Sequence, residues 1–178
     1  PPPFAISYLP LAVCLPGVAV LSDQSAFPLI VCAPLRDPVE AINSHLRRAG
    51  HAVHCTWIPA LGDLGDALTQ LNPEMLICQP QVEGELSAVA AVRNQLAPQV
   101  PLIALLEEAD ESAIAGAIVV GARDAVTLAR PDRLRAVIER ELRSFRLERA
   151  LNTTLQSARD YRKQLETVLQ RSNDAIAQ

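Results

Sequence analysis

A chain of 178 residues is long enough for one domain of about 100–150 residues and an additional segment. Apolar residues make up 49% of the chain but aromatic residues only 3%, so we expect a core of Ala, Val, Leu and Ile. The net charge of −4 excludes a strongly basic protein, and we expect no nucleic-acid partner.

The charge is distributed unevenly. Residues 1–130 hold 6 basic and 13 acidic residues, whereas residues 131–178 hold 10 basic and 7 acidic residues. In the second part the two signs are interspersed, as in a solvated helix with i,i+4 pairs such as Glu139 and Arg143. This pattern does not predict a surface that binds phosphates.

The first 22 residues carry no formal charge. Their apolar stretch is short for a membrane span, and Pro10 and Pro16 would break a helix, so we expect no membrane insertion. We predict an arm, residues 1–26, that covers apolar surface or pairs with a sheet edge or a partner chain. Disorder and a targeting segment are the alternatives, and because Pro1 is not a methionine we expect residues to be missing before it.

From residue 28 onward, short apolar runs of the buried-strand type alternate with segments of helical periodicity. Asp37 and Pro38 predict a helix N-cap and the first helical position, and Gly50 closes that helix. Asp110 is expected to cap a later helix that ends at Gly121. The predicted strands are residues 28–34, 51–58, 74–79, 100–106 and 124–129.

The segments between these strands have apolar residues at helical spacing. These residues are Val39, Ile42 and Leu46; Leu64, Ala67, Leu68 and Leu71; Leu86, Val89, Val92 and Leu96; and Ile114 and Ile118. Five strands that alternate with helices predict a mostly parallel sheet with helices on both faces. Because "CAPLRDP" follows the first strand and no GxGxxG or P-loop motif is present, we expect no nucleotide cofactor.

The last helix begins at Pro131, and no proline or glycine interrupts the chain up to Gln178. A fully helical segment would span about 70 Å. Its first part is predicted to pack on the sheet through Leu134, Val137, Ile138, Leu142 and Phe145. Beyond it, heptad spacing predicts a coiled-coil seam, and therefore a homodimer, through Leu151, Leu155, Ala158, Arg162, Leu165 and Leu169. A solvated helix that frays is the alternative.

Cysteines and histidines give no sign of catalysis or metal binding. Three of the four cysteines lie in predicted strands and no CxxC spacing occurs, so we expect free thiols in a reducing cytosol. An enzyme that uses His45, His51, His54 and Cys55 is an alternative. However, His51 and His54 are predicted to face opposite sides of a strand, and no nucleophile–base pair is apparent.

These elements resemble the receiver domains of two-component response regulators over residues 28 to about 146. The resemblance rests on the element order, the Asn72-Pro73 turn before the third strand, "VPLIALL" as the fourth strand, and "GARDAVTL" leading into the fifth. It implies a flavodoxin-like (CheY-like), doubly wound, five-stranded parallel sheet, here with an extended C-terminal coiled-coil helix.

Receivers bind Mg²⁺ through an acidic pair and transfer a phosphoryl group to an aspartate, with a hydroxyl and a lysine nearby. The resemblance places neutral residues at all of these positions, and Ala125 replaces the usual aromatic residue. A shift of one residue restores no complete set. The degenerate positions are Ala33 and Pro34 for the acidic pair, Gln79 for the acceptor, Leu106 for the hydroxyl and Leu128 for the lysine.

The resemblance therefore implies a non-catalytic pseudo-receiver that binds no cofactor or metal and interacts with other protein domains. A diverted metal site formed by Asp37, Glu107, Glu108 and Asp110 and a small-molecule sensor above Ala33, Gln79 and Leu106 remain alternatives. The segment "LETVLQRSNDAIAQ" is similar to the approach to a PAS domain, as in FimX-type cyclic-di-GMP signalling proteins. The predicted domains are the arm, a receiver-like domain at 27–146 and a coiled-coil linker at 147–178.

Overall fold

The computed structural model describes residues 26–108 and 110–176, in which five strands alternate with five helices. The strands are β1 (Phe27–Cys32), β2 (Val53–Ile58), β3 (Met75–Cys78), β4 (Leu102–Leu105) and β5 (Asp124–Val126). The helices are α1 (Asp37–Arg48), α2 (Leu64–Leu71), α3 (Glu85–Leu96), α4 (Glu111–Val120) and α5 (Pro131–Ile176). A turn of 3-10 helix, Leu61–Asp63, precedes α2.

All strand pairs are parallel, and the strand order is β2-β1-β3-β4-β5. Successive strand residues point to opposite faces, so each strand contributes to two core layers. In β1, Leu29 and Val31 pack with α1 and α5, whereas Ile30 and Cys32 pack with α2, α3 and α4. This confirms the predicted doubly wound, CheY-like fold, in which the carboxyl ends of all five strands share one edge of the sheet.

Several local predictions are also confirmed. The Asp110 carboxylate accepts a hydrogen bond of 2.7 Å from the Ala113 amide at the start of α4, and Gly121 ends that helix with φ +116°. The helix α5 begins at Pro131 and is continuous over 46 residues. All five α5 residues predicted to pack on the sheet are buried, namely Leu134, Val137, Ile138, Leu142 and Phe145.

The predicted N-cap at Asp37 is wrong. Arg36 already has helical dihedral angles (φ −82°, ψ −22°) and occupies the cap position, and no side chain caps the helix. The Arg36 carbonyl accepts hydrogen bonds from the amides of Val39 and Glu40. Asp37 is therefore the first helical residue, where its negative charge still interacts favourably with the helix dipole.

Two predictions about polar residues are also wrong. His51 does not lie in a strand, because β2 begins at Val53; its Nε2 atom lies 2.8 Å from Oε1 of Glu139 on α5. Glu139 pairs with Arg135 at 3.8 Å rather than with Arg143. The packing of the tertiary structure brings His51 and Glu139 together, and an i,i+4 pattern, which concerns one helix only, does not reveal such a contact.

The helices α3 and α4 bury less apolar surface than their sequences predict. On α4 the buried residue is Ala117, while Ile118 is 49% exposed. On α3, Val89 is buried, but Leu96 is 44% exposed. The charged Arg93 is buried instead, because its guanidinium donates to the carbonyls of Pro98 and Gly121 at 3.2 and 2.7 Å.

Charged groups attach the first part of α5 to the rest of the domain. Asp124, buried at the start of β5, accepts hydrogen bonds of 2.9 Å from both Arg133 and Arg140. Glu74, just before β3, accepts one of 2.7 Å from Arg146. These contacts fix the direction in which α5 leaves the sheet.

No helix of the described residues is long and apolar enough to cross a membrane. The predicted N-terminal arm, except for Ala26, and Cys14 lie outside the described residues.

Candidate functional site

The residues that the resemblance assigns to the receiver phosphorylation site lie at the carboxyl edge of the sheet. Ala33 follows β1, Gln79 follows β3 and Leu106 follows β4. Backbone pairing continues past the strand ends: the Gln79 amide donates to Cys32 at 2.8 Å, and the Leu106 amide donates to Val126 at 2.8 Å. The parallel sheet thus brings these positions together, as a phosphorylation site would require.

Neither of the two residues predicted at the acidic-pair positions has a side chain that could bind Mg²⁺. Ala33 is buried and has no polar side chain, while Pro34 is exposed. The carbonyl of Ala33 accepts a hydrogen bond of 2.8 Å from the indole N–H of Trp57 on β2. Because Mg²⁺ prefers carboxylate and water oxygens, Ala33 and Pro34 could not bind it as an acidic pair would.

Gln79 is the residue predicted at the phosphoacceptor position. Its side chain is partly buried, and its Oε1 atom is buried without a hydrogen-bond partner among the described residues. An amide does not have the anionic oxygen that attacks a phosphoryl donor, so Gln79 cannot form an acyl phosphate.

Leucines are the residues predicted at the hydroxyl and lysine positions. Leu106 packs against the core layer on the α3 side of the sheet, and Leu128 packs against the opposite layer. The nearest hydroxyl in sequence, on Thr127, donates to the Glu107 carbonyl at 3.1 Å and accepts from the Ala129 amide at 3.3 Å. A phosphoryl group here would meet hydrocarbon where receivers supply charge, and its burial without a partner would be unfavourable.

The thiols beside this edge are not nucleophiles. Cys32 and Cys78 are register partners on β1 and β3, and both are buried. Burial is the main reason that the pKa of each is raised from 9.0 to about 12; the nearby Glu85 carboxylate contributes to both values, and Cys32 contributes to that of Cys78. Burial likewise raises the pKa of Cys55 to about 11. Because the thiolate is the reactive form, these cysteines are inert at neutral pH.

The four carboxylates considered as a diverted metal site are not arranged around a common point. Asp110 caps α4, Asp37 lies in the first turn of α1, and Glu107 and Glu108 are exposed in the loop after β4. Within the part of the chain that the structure describes, no group of three or more His, Cys, Asp or Glu residues is arranged to hold a metal ion.

A cavity of about 570 Å³ lies at the opposite edge of the sheet, where α5 leaves the domain. Leu68 and Phe145 contribute to its apolar part, and Arg149 and Asn152 on α5 contribute polar groups. This cavity is separate from the one proposed above Ala33, because it lies beside the turn that precedes β3.

The predicted dimerisation residues lie on the part of α5 that extends beyond the domain. Every described side chain from residue 147 to residue 170 is exposed. The leucines are 47% to 65% exposed, and the Arg162 side chain is 82% exposed and pairs with Glu166 at 2.9 Å. The six residues are Leu151, Leu155, Ala158, Arg162, Leu165 and Leu169.

Sequence reasoning missed the charged contacts that orient α5. The signal for one of them is visible: Asp124 is an acidic residue within a predicted buried strand, and the segment that follows is rich in arginine. A buried carboxylate requires a partner, which favours an ion pair with that segment. The identity of the partners, Arg133 and Arg140, depends on the angle between β5 and α5.

Neither a protein-family model nor a curated protein matches the chain. Its structure is similar to a response regulator from Thermotoga maritima (TM-score 0.57, 16% identity, 66% of this chain and 98% of that one). It is also similar to a CheY-like receiver domain protein from Methanospirillum hungatei JF-1 (0.56, 14%, 70% and 99%). A third similar structure is the receiver domain of NtrC4 from Aquifex aeolicus (0.54, 13%, 67% and 98%). The chain therefore has the CheY-like fold of response regulator receiver domains.

Proposed function

We propose that this protein is a pseudo-receiver, a signalling module that does not take up a phosphoryl group and is not an enzyme. The receiver fold indicates a signalling module. The observation that supports the proposal is the side-chain chemistry at the positions that the resemblance assigns to phosphorylation: Ala33, Gln79, Leu106 and Leu128 supply none of the carboxylates, hydroxyl or lysine that a receiver requires. A module without these groups would act through its surfaces.

The second part of the proposal is that the module forms a homodimer through α5. The helix continues for about 35 Å between residues 147 and 170, at 1.5 Å per residue. Its leucines are exposed, and a single amphipathic helix gains little stability while its apolar side faces water. A second copy of α5 would cover them and place both C-terminal ends side by side.

We further propose that the chain works within a bacterial cyclic-di-GMP signalling protein of the cytoplasm. The similarity of residues 165–178 to the approach to a PAS domain supports this context, as does the resemblance to degenerate receivers that precede PAS, GGDEF and EAL domains. In this arrangement α5 connects the receiver-like domain to a downstream domain, and the pairing of two α5 helices brings the two downstream domains together.

The phosphorylation part of the proposal is tested by intact-mass analysis after treatment with acetyl phosphate or phosphoramidate, with and without Mg²⁺. We expect no added mass on the parent chain or on a Gln79→Asp variant, because the metal ligands and lysine are still missing. A phosphorylatable receiver treated in parallel is the positive control. A hydroxylamine-sensitive mass increase of one phosphoryl group on the parent chain would refute this part.

A small-molecule sensor is the second candidate function, and the unpaired Oε1 atom of Gln79 favours it. A buried acceptor of this kind usually has a partner, which a bound polar ligand would supply. Native mass spectrometry of the purified chain tests this candidate. A bound metabolite that is lost on substitution Gln79→Leu would support the sensor, and an unliganded spectrum would favour the interaction module.

A further inference from the structure

The exposed half of α5, residues 147–170, carries a wider apolar stripe than the predicted seam. Leu147, Tyr161 and Val168 are 69%, 70% and 61% exposed and lie beside the predicted residues. Two sets of residues at heptad spacing can be drawn along this stripe, and both include Leu151, Ala158 and Leu165. The Arg162 seam adds Leu155, Arg162 and Leu169, whereas the Tyr161 seam adds Leu147, Thr154, Tyr161 and Val168.

We infer that two copies of the chain pair in parallel along the Tyr161 seam, so that Arg162 lies at the flank of the contact. This inference rests on the proposed homodimer and specifies its geometry. In heptad notation, Leu151, Ala158 and Leu165 are a positions, and Tyr161 and Val168 are d positions.

Charge distinguishes the two seams. In a parallel, in-register pair, equivalent a and d residues of the two helices face each other. The Arg162 seam would therefore bring two guanidinium groups together, and would compete with the pair that each makes with Glu166 on its own helix. In the Tyr161 seam, Arg162 is an e residue and faces the preceding g residue of the partner, Ser157, which is uncharged.

The remaining polar residue of the Tyr161 seam is suited to burial. The Thr154 hydroxyl donates a hydrogen bond of 2.9 Å to the Ala150 carbonyl within its own helix. Its burial against a second helix would therefore leave no unpaired donor. The ring of Tyr161 provides apolar surface, while its hydroxyl can reach water at the edge of the contact.

The position of the domain also favours this seam. Leu147 is exposed two residues after the buried Phe145, so the Tyr161 seam begins where α5 leaves the domain. On the Arg162 seam the corresponding position is Glu148, an exposed charge. The α5 residues that line the cavity, including Arg149 and Asn152, lie on the opposite side of the helix, so the domain does not block a second copy.

The uncharged residues beside the seam favour a second copy as the occupant. The three g positions of the exposed half are Ala150, Ser157 and Gln164. Paired with e residues of an identical helix, they create no like-charge contact. A partner with an acidic or basic helix would find no complementary row of charges there.

Disulfide trapping at neighbouring positions tests which of the two seams forms the contact. In the full chain with Cys14→Ser and Cys55→Ser, we compare Tyr161→Cys, Arg162→Cys and Leu165→Cys under mild oxidation. A disulfide requires Cβ atoms about 3.5–4.5 Å apart, so facing positions cross-link readily and flanking positions do not. The buried, high-pKa Cys32 and Cys78 do not compete.

We expect Leu165→Cys and Tyr161→Cys to form covalent dimers at least about tenfold faster than Arg162→Cys. An equal or faster rate for Arg162→Cys would overturn the inferred Tyr161 seam while leaving the dimer intact. If Leu165→Cys, which lies on both seams, forms no covalent dimer and the chain sediments as a monomer, the proposed dimer itself is wrong.

Discussion

The two halves of α5 have the same helical backbone but different surroundings. In residues 131–146, the apolar side faces the sheet: Leu134 is fully buried, and Arg140 and Arg146 bind carboxylates of the domain. In residues 147–170, the apolar side faces water, and Leu165 is 65% exposed. Burial of such side chains is the main source of helix stability in proteins. The comparison shows that the first half packs within its own chain, whereas the second half has no packing partner among the described residues.

The largest effect is expected from Leu151→Asp combined with Leu165→Asp, which removes two residues shared by both seams. Each fully buried leucine contributes roughly 1.5–3 kcal/mol, and a dimer loses four of them. We therefore expect the dissociation constant to rise by at least about 1,000-fold, since each tenfold change corresponds to about 1.4 kcal/mol. Sedimentation equilibrium measures this change.

The matched control is Gln156→Asp combined with Gln170→Asp, which adds the same charge on the opposite side of α5. We expect this control to dimerise like the parent chain. If both double variants have the same dissociation constant as the parent, the contact between copies lies outside the exposed half of α5.

A core substitution in the first half should destabilise the domain itself. Leu134→Ala leaves a cavity beneath α5 and should lower the free energy of unfolding by roughly 2–5 kcal/mol in urea denaturation. Its control, Leu169→Ala, should change that value by less than about 0.5 kcal/mol. Both are measured in the Leu151→Asp, Leu165→Asp background, so that association does not contribute. Similar losses for the two would mean that the second half also packs within its own chain.

The ion pairs of the first half predict an intermediate effect. Asp124→Ala removes the carboxylate that Arg133 and Arg140 share and should cost about 1–3 kcal/mol of unfolding free energy. The range is modest because both arginines are partly exposed to water. Asp160→Ala, in the exposed half, is the control and should be close to neutral. An unchanged stability for Asp124→Ala would show that these pairs do not hold α5 on the sheet.

The smallest expected effect concerns alkaline pH. The folded protein raises the pKa of Cys32 and Cys78 from 9.0 to about 12, so it favours the neutral thiols more than the unfolded chain does. The resulting stability is present below pH 9 and is lost as the pH rises towards 12. Between pH 8 and pH 9, the parent should lose at most about 1 kcal/mol in total more than Cys32→Ala with Cys78→Ala. Equal losses in urea denaturation would contradict the raised pKa values.

The strands and helices were predictable because apolar runs and helical periodicity reflect burial directly. The end of β5 was less predictable: the strand stops at Val126, three residues before the predicted end. The Thr127 hydroxyl bonds to the Ala129 amide and the Glu107 carbonyl, which replaces strand pairing with a turn. Such side-chain competition with the backbone depends on the neighbouring loop and is not visible in periodicity.

The residues at the carboxyl edge of the sheet were predictable from the resemblance, because parallel strands bring their ends together. The pairing of His51 with Glu139, 88 residues away, was not, since it depends on how α5 packs beside α1. The Arg162 seam illustrates a third limit. Two heptad lines that share three residues have nearly the same apolar content, and the choice between them depends on charge and on where the helix leaves the domain.

The central claim is that pairing through α5 does not depend on phosphorylation. Sedimentation equilibrium of the parent chain, before and after incubation with acetyl phosphate and Mg²⁺, tests it most directly. We predict a dimer with the same dissociation constant in both samples, because in the proposed pseudo-receiver Ala33, Gln79, Leu106 and Leu128 would neither accept nor hold a phosphoryl group. A monomer in both samples, or a dissociation constant that changes on treatment, would contradict the account.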